Sequence, residues 1–323
     1  MILPKQHSLI ENGANIPFGV YEDLIENVDT SFFDTQGFLA KRRRTERKTW
    51  IYFGVYSPDL ICGFAIADAG MVATAFVYFY SFKDGTFEED KTTVPLAFAT
   101  DFNPNLNSEW KIGNFLIKTD NGKMHCQYVG KFKLYIEAEN DANGASIIAP
   151  SSEKRPFNFT YKNVCVPVKV QINNGGISTY ATSGKYGSID FTKGYPPRET
   201  IWNWLSIIGI SESEKSIAIN LVDRFNNNME NILWYDGRKI LLSAAKFSMQ
   251  EPLDKTDWLI ETNDGILNCH FSPRGARTEN VNALIMKSKF TQPFGTVDGT
   301  IIIDGKEEKF TAIGVVEDHH AVW

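Results

Sequence analysis

Apolar and polar positions along this chain alternate at a period of two, the signature of half-buried strands, much more often than they recur at the helical 3.6. KTWIYFGVYS, LICGFAIAD, TAFVYFYSF, GNFLIKTD, HCQYVGKFKLYIEAE, VCVPVKVQIN, TIWNWLSIIGI, KSIAINLV, NILWYDG, GTIIIDG and FTAIGVVED are short, aromatic or β-branched, and bounded by turn formers. Asp84-Gly85, Asn121-Gly122, Asp236-Gly237, Asp264-Gly265, Asp298-Gly299 and Asp304-Gly305 fall between such runs. Asx-Gly supplies the positive φ angles of tight hairpins, so consecutive antiparallel pairing is predicted. The best helical candidate is VYEDLIENV, residues 20–28. RETIWNWL reads as a strand because its bulky residues alternate.

A weak internal echo supports two similar halves. A shift of 152 positions places Trp50 on Trp202, Asp68 on Asn220 and Asp84-Gly85 on Asp236-Gly237, and a shift of 130 places Tyr180 and Gly184 on Phe310 and Gly314. The predicted fold is all-β, with two tandem lipocalin-like antiparallel β-barrels and little helix, over residues 1–190 and 191–323. The terminal EDHHAVW is then the last strand of the second barrel, its polar side chains aimed inward.

Composition narrows the function. Of 323 residues, 43% are hydrophobic and 22% charged, which suits a packed core, and the 13% aromatic share suits sheets and apolar binding sites. A formal charge of -6 argues against a nucleic-acid partner. One basic run, KRRRTERK at Lys41–Lys48, reads as a solvated loop. Cys62, Cys126, Cys165 and Cys269 are scattered and form no CxxC, which points to a reducing compartment without structural zinc. Neither a leader-like start nor a membrane-length apolar run is found, so the expected location is cytoplasmic, with no integral membrane segment. Nothing in the sequence sets the oligomeric state.

The motifs of dinucleotide enzymes, P-loop hydrolases, GxSxG esterases and HExxH proteases are absent. Three clusters remain. In DFTKGYPPRETIWNW, Pro196-Pro197 fixes where Arg198 enters the next strand, and alternation puts Trp202 and Trp204 on one face and Ile201, Asn203 and Leu205 on the other. Two indoles on one face form either core or the wall of an apolar site. In IAINLVDRFNNNMENILW, the polar middle reads as a solvated loop, with Glu230 and Asn231 at a barrel mouth as the functional reading. In the tail, Glu317, His319, Ala321 and Trp323 share a face, opposite Asp318, His320 and Val322. A carboxylate two residues from an imidazole on one face orients its tautomer or shares its proton. The two histidines point apart, so no metal site is expected from them.

At GYPPRETIWNW, AINL with MEN and YDGR, and EDHHAVW, the sequence resembles the DUF2804 family, proteins of uncharacterised function. It is more distantly similar to the carotenoid 1,2-hydratase and AttH-like two-barrel superfamily, which includes cofactor-independent enzymes acting on apolar substrates. The resemblance singles out Arg198, Thr200, Trp202, Asn203, Trp204, Asn220, Glu230, Asn231, Glu317, His319, Ala321 and Trp323, while Ala218 and Met229 depart from the family pattern. The expectation is a protein that binds an apolar small molecule, lipid or isoprenoid-like, in a barrel cavity, without a cofactor. Glu317 and His319 are the candidate acid/base pair; Arg198, Trp202, Asn203, Trp204, Asn220, Glu230, Asn231 and Trp323 are the candidate ligand contacts. Catalysis is left open at this stage. The alternatives are a cofactor-independent hydratase, lyase or isomerase on an apolar substrate, and a structural protein in which Arg198 and Glu317 form a buried ion pair.

Overall fold

Runs of β-branched and aromatic residues hydrogen-bond as strands because their side chains pack on a pleated surface while Asx-Gly turns reverse the chain. In the computed structural model, described over residues 3–10, 15–35, 45–95, 105–175, 178–282 and 287–323, this produces two antiparallel sheets, with a short helical turn at Ser31–Thr35. Two compact units divide between Pro197 and Arg198. The boundary expected at Asp190 lies within a strand that continues to Gly194.

The first unit has a 12-stranded sheet. Its strands are β1 (Gly19–Glu22), β2 (Lys48–Tyr56), β3 (Leu60–Asp68), β4 (Val72–Ser81), β5 (Phe87–Pro95), β6 (Glu109–Ile112), β7 (Phe115–Asp120), β8 (Lys123–Val129), β9 (Lys133–Glu139), β10 (Ala145–Ala149), β11 (Asn158–Asn174) and β12 (Ser178–Gly194). The hydrogen-bonded order is β5-β4-β3-β2-β12-β11-β9-β8-β7-β6, with β10 and β1 branching from β11. The second unit has β13 (Glu199–Ser211), β14 (Ser216–Asp223), β15 (Ile232–Tyr235), β16 (Arg238–Leu241), β17 (Ala245–Ser248), β18 (Trp258–Thr262), β19 (Leu267–Asn282), β20 (Lys287–Ile303) and β21 (Lys306–Val322), in the order β16-β15-β14-β13-β21-β20-β19-β18-β17.

Both orders are curled meanders in which the last strand returns to the first long one, β2 in the first unit and β13 in the second. β12 pairs with β2 from Gly187↔Val55 to Gly194↔Lys48, and β21 pairs with β13 from Val322↔Glu199 to Phe310↔Ser211. The echo residues occupy corresponding places: Trp50 and Trp202 on β2 and β13, Tyr180 and Phe310 on the last strands β12 and β21, and Asp84-Gly85 and Asp236-Gly237 in the turns β4–β5 and β15–β16. The final hairpin of each unit is built from two 17-residue strands.

The dipeptides Asn121-Gly122, Asp236-Gly237 and Asp304-Gly305 have positive φ at both residues, the geometry that matches strand twist. Asp298-Gly299 is a correction, since it lies inside β20. A Cβ on Gly299 would stand 2.5 Å from Cys269 Cβ and 2.7 Å from Asn268 O, so glycine there admits the neighbouring strand instead of making a turn. VYEDLIENV is also corrected. Its first residues are β1, paired with β10, and Asp23 at φ 58 ends the strand. Ile25 N–H then donates to Ser146 Oγ at 3.0 Å. Tertiary partners thus satisfy this backbone outside a helix.

Leu205, Ile219, Trp258, Phe271, Phe310 and Val316 fill the second barrel, and Phe53, Phe64, Trp110, Phe132, Phe159 and Phe191 belong to the core of the first. Of the basic run, Lys41–Arg44 lie outside the described residues. The remainder is engaged within the unit: Lys48 Nζ donates to Thr45 O (3.0 Å) and Ala69 O (2.5 Å), and Arg47 donates to Thr30 Oγ1 (3.0 Å). Among the described residues no helix is long and apolar enough to cross a membrane.

Lys193 is fully buried and donates to Val28 O at 2.6 Å. Burial, then the nearby Arg47, lowers its ammonium to about 6, against the opposing pull of Asp29; burial also lowers Lys48, to about 8. Above pH 6 the unfolded chain holds a proton on Lys193 that the folded chain has lost, so this group makes stability rise with pH up to its ordinary value of 10.5. Lys48 begins to lose its proton only toward pH 8, and that loss is common to the wild type and a Lys193 variant. Lys193→Met is therefore expected to remove a slope of roughly 1 kcal/mol per pH unit in that window. Urea unfolding of both proteins at pH 6, 7 and 8 checks it, and parallel stability profiles contradict it.

Candidate functional site

In the second barrel, alternation divides the side chains between two environments. Leu205 and Ile207 of β13, with Phe310, Ala312 and Val316 of β21, join the interior core. Residues of opposite parity face away from that core, and many are still buried, including Trp204, Ser206, Asn220, Gln292 and Glu317. The expected inward aim of Glu317 and His319, and of Trp202, Trp204 and Trp323 as interior walls, is therefore corrected: all five lie on the outer face of the sheet. The physical reason is the period of two, which gives the interior to the branched aliphatics of β13.

Register sets the cluster. Trp202 lies opposite His319, and Trp204 opposite Glu317, in the β13–β21 ladder; Phe290 lies opposite His319 in the β20–β21 ladder. Glu317 has its two oxygens held separately. Trp202 Nε1 donates to Oε1 at 2.8 Å, and Gln292 Nε2 donates to Oε2 at 2.9 Å. Two donors thus give each buried carboxyl oxygen a hydrogen-bond partner.

His319 stands beside it with Nδ1 3.4 Å from Glu317 Oε1. That contact is close enough for charge attraction but is not aligned as a hydrogen bond, and Nδ1 is buried with no hydrogen-bond partner. Nε2 is 2.9 Å from Ser288 Oγ. A lone pair on Nδ1 would face the carboxylate, so the tautomer that fits has its proton on Nδ1 and leaves Nε2 to accept from Ser288. The imidazole packs between aromatic rings, 4.2 Å from Trp202 and 5.1 Å from Phe290, centroid to centroid. Arg277 stands 5.0 Å from the Phe290 ring and pairs with Glu279 at 2.6 Å.

A second wall comes from the polar segment after β14. Arg224, Asn226, Asn227 and Asn228 all have positive φ, from 47 to 64, while Phe225 at φ -138 is extended. Asn tolerates the left-handed region better than most residues, which accounts for three in a row. This turn places Phe225 5.7 Å from Trp202. The reading of the segment as a solvated loop is thereby corrected, because Asn226 and Glu230 are buried and Asn226 Nδ2 donates to Glu230 Oε1.

The other sequence candidates divide into site and scaffold. Asn203, on the interior face, donates to Asp318 Oδ1 at 2.8 Å and accepts from Arg224. Trp204 Nε1 donates to Asn220 Oδ1 at 2.9 Å, and Asn220 Nδ2 to Glu230 O at 2.9 Å. Asn231 accepts from Val222 N–H (2.7 Å) and donates to Ser243 O (2.9 Å), which ties β14 to the connection between β16 and β17. Trp323 Nε1 donates to Thr200 Oγ1 at 3.3 Å. Arg198 is exposed, and its carbonyl accepts the Trp323 N–H at 2.9 Å. The Arg198–Glu317 ion pair of the structural reading is not formed; indole and amide partners hold Glu317 instead.

Four residues escaped the sequence reading: Ser288, Phe290 and Gln292 at the site, and Arg277 nearby. They lie on β19 and β20, whose Pro273, Gly275, Pro293 and Gly295 resemble loop punctuation. Pro273 in fact lies at a bulge between Pro273 and Gly275, where a missing N–H costs no ladder bond. A usable signal was the spacing of Phe290 and Phe294, which share one strand face with Ser288 and Gln292.

Asn231 provides a local test. Asn231→Ala strands the Val222 N–H and the Ser243 carbonyl, and is expected to destabilise the protein by about 1–3 kcal/mol, read as a lower denaturant midpoint with unchanged slope. An unchanged midpoint refutes the scaffold assignment.

No curated protein sequence matches the chain. Solved structures share its fold at low identity. Kievitone hydratase from Nectria haematococca aligns at a TM-score of 0.58 and 12% identity, over 98% of this chain and 97% of that one. A Nitrosomonas europaea structure assigned to AttH aligns at 0.53 and 12%, over 84% and 92%. The model of a domain of unknown function, DUF2804, matches residues 2–323. A match of that length, with the two-barrel fold, places the chain in the DUF2804 family.

Proposed function

We propose that this protein binds a largely apolar small molecule against Trp202, Phe225 and Phe290 and transfers a proton to or from it through His319, without a cofactor. The observation that carries this reading is the held carboxylate: Glu317, fixed by Trp202 and Gln292, lies 3.4 Å from an imidazole enclosed by aromatic rings. When His319 takes a proton, the Glu317 carboxyl group and the indole face of Trp202 lie beside the positive charge. The proton is then available at Nε2 for an alkene, enol or leaving hydroxyl. In the neutral form the same nitrogen accepts one.

The reactions this suits are hydration, its reverse, and isomerisation of an apolar substrate. Kievitone hydratase shares the fold, which supports this class by analogy. Glu317 belongs to the acid/base pair and not to the aromatic wall, so replacing it separates an enzyme from a carrier.

Native mass spectrometry of freshly purified protein identifies a retained apolar molecule. Incubation of that molecule with protein in heavy water then reads deuterium uptake or a gain or loss of water. Trp202→Ala is expected to weaken binding by roughly tenfold. Glu317→Gln is expected to keep binding and reduce turnover roughly 10²–10⁴-fold. Equal turnover by Glu317→Gln and the wild type sinks the catalytic reading, and a retained ligand with no mass change marks a carrier.

A further inference from the structure

The hydroxyl on the far side of His319 gives the site a second chemistry. Ser288 Oγ lies 2.9 Å from Nε2, and Nδ1 of the same ring lies 3.4 Å from Glu317 Oε1. We propose that Ser288 is a nucleophile activated by His319 and oriented through Glu317, and that the site transfers acyl groups from apolar esters. This shares its base with the proton-transfer reading above and adds a covalent step to it.

The geometry has the features that such a step needs. Nucleophile and base are within hydrogen-bond reach, and a third group faces the other ring nitrogen. The tautomer with the proton on Nδ1 makes Nε2 the acceptor of the Ser288 hydroxyl. The unpartnered Nδ1 is what a resting base looks like, because its bond to the carboxylate tightens when the ring becomes charged. Ser288 is partly exposed, so a substrate can reach it, whereas Glu317 is buried and keeps its charge from water.

The step balances without a further reagent. Ser288 Oγ bonds to the acyl carbon as its proton passes to Nε2. The bond from the acyl carbon to the leaving oxygen, or to sulfur in a thioester, breaks, and the leaving alcohol or thiol takes that proton. Water then attacks the acyl-serine, gives a proton to Nε2, and releases the acid as Oγ regains its hydrogen.

The scaffold also limits the substrate. Ser288 lies in a strand paired on both sides, with Val281 and with Ala321, so the backbone N–H groups around it are committed to the ladders. An oxyanion there gains little from them. The favoured substrates are thus esters with good leaving groups, phenyl esters or thioesters, carrying an apolar part that rests on Phe290 and Trp202.

An alkyl fluorophosphonate tests the nucleophile without knowledge of the natural substrate. Native full-length protein is expected to form one adduct, mapped to Ser288 by tandem mass spectrometry, and heat-denatured protein none there. Ser288→Ala is expected to lose it. Glu317→Gln, checked for folding by circular dichroism, is expected to react roughly tenfold or more slowly. No Ser288 adduct at saturating probe, or equal labelling after denaturation, overturns the proposal. If the adduct is missing while His319-dependent exchange in heavy water persists, the nucleophile is lost and the proton-transfer reading stands.

Discussion

The pairing of the last strand with the first, β21 on β13, is the constraint on which the second unit depends. It runs without a register shift from Glu199↔Val322 to Ser211↔Phe310, and it brings residues over a hundred positions apart into one row. Gly209 and Gly314 allow it: a Cβ on Gly209 would stand 2.0 Å from Thr311 O, and one on Gly314 2.1 Å from Ser206 O. A slip of one residue would exchange the two faces, sending Glu317 and His319 into the barrel and Val316 out of it. The same ladder thus fixes both the core and the polar cluster.

Because the interior belongs to aliphatic and aromatic packing, the chemistry stands on the other face. There, burial and polarity coexist only through satisfied partners. Glu317 is held by an indole and an amide, Trp204 by Asn220, and Asn220 by the Glu230 carbonyl. The left-handed run at Asn226–Asn228 serves the same face by bringing Phe225 to Trp202. Strained backbone is found beside functional groups in many proteins, and here it sets one wall of the candidate site.

The first unit shows what the same position becomes with different partners. In its closing ladder Asp190 lies opposite Tyr52 on one side and Lys162 on the other, as Glu317 lies between Trp204 and the strand carrying Gln292. Lys162 Nζ meets Asp190 Oδ2 at 2.6 Å, and Thr192 donates to Oδ1 at 3.3 Å. A buried carboxylate matched by a full cation is a structural pair whose disruption is costly. At Glu317 the partners are the neutral indole of Trp202 and amide of Gln292, and the His319 imidazole stands 3.4 Å away. Corresponding positions of the two units thus carry a full ion pair in one and a carboxyl–imidazole contact in the other.

Sequence alone determined the all-β class, most hairpins, the echo between the halves, and the shared face of Glu317, His319 and Trp323, because period-two alternation and Asx-Gly turns are local properties. It also reached Trp202 and Trp204 as a same-face pair. Which face was inner, and which residues stood across the ladder, depended on the register of strands distant in sequence and on bulges that let Pro273 and Gly275 sit within a strand. Tertiary structure alone therefore decided that Ser288, Phe290 and Gln292 complete the cluster, that Arg198 stands outside it, and that Asn220, Glu230 and Asn231 serve as scaffold. Long-range pairing, which no local pattern encodes, chose those neighbours.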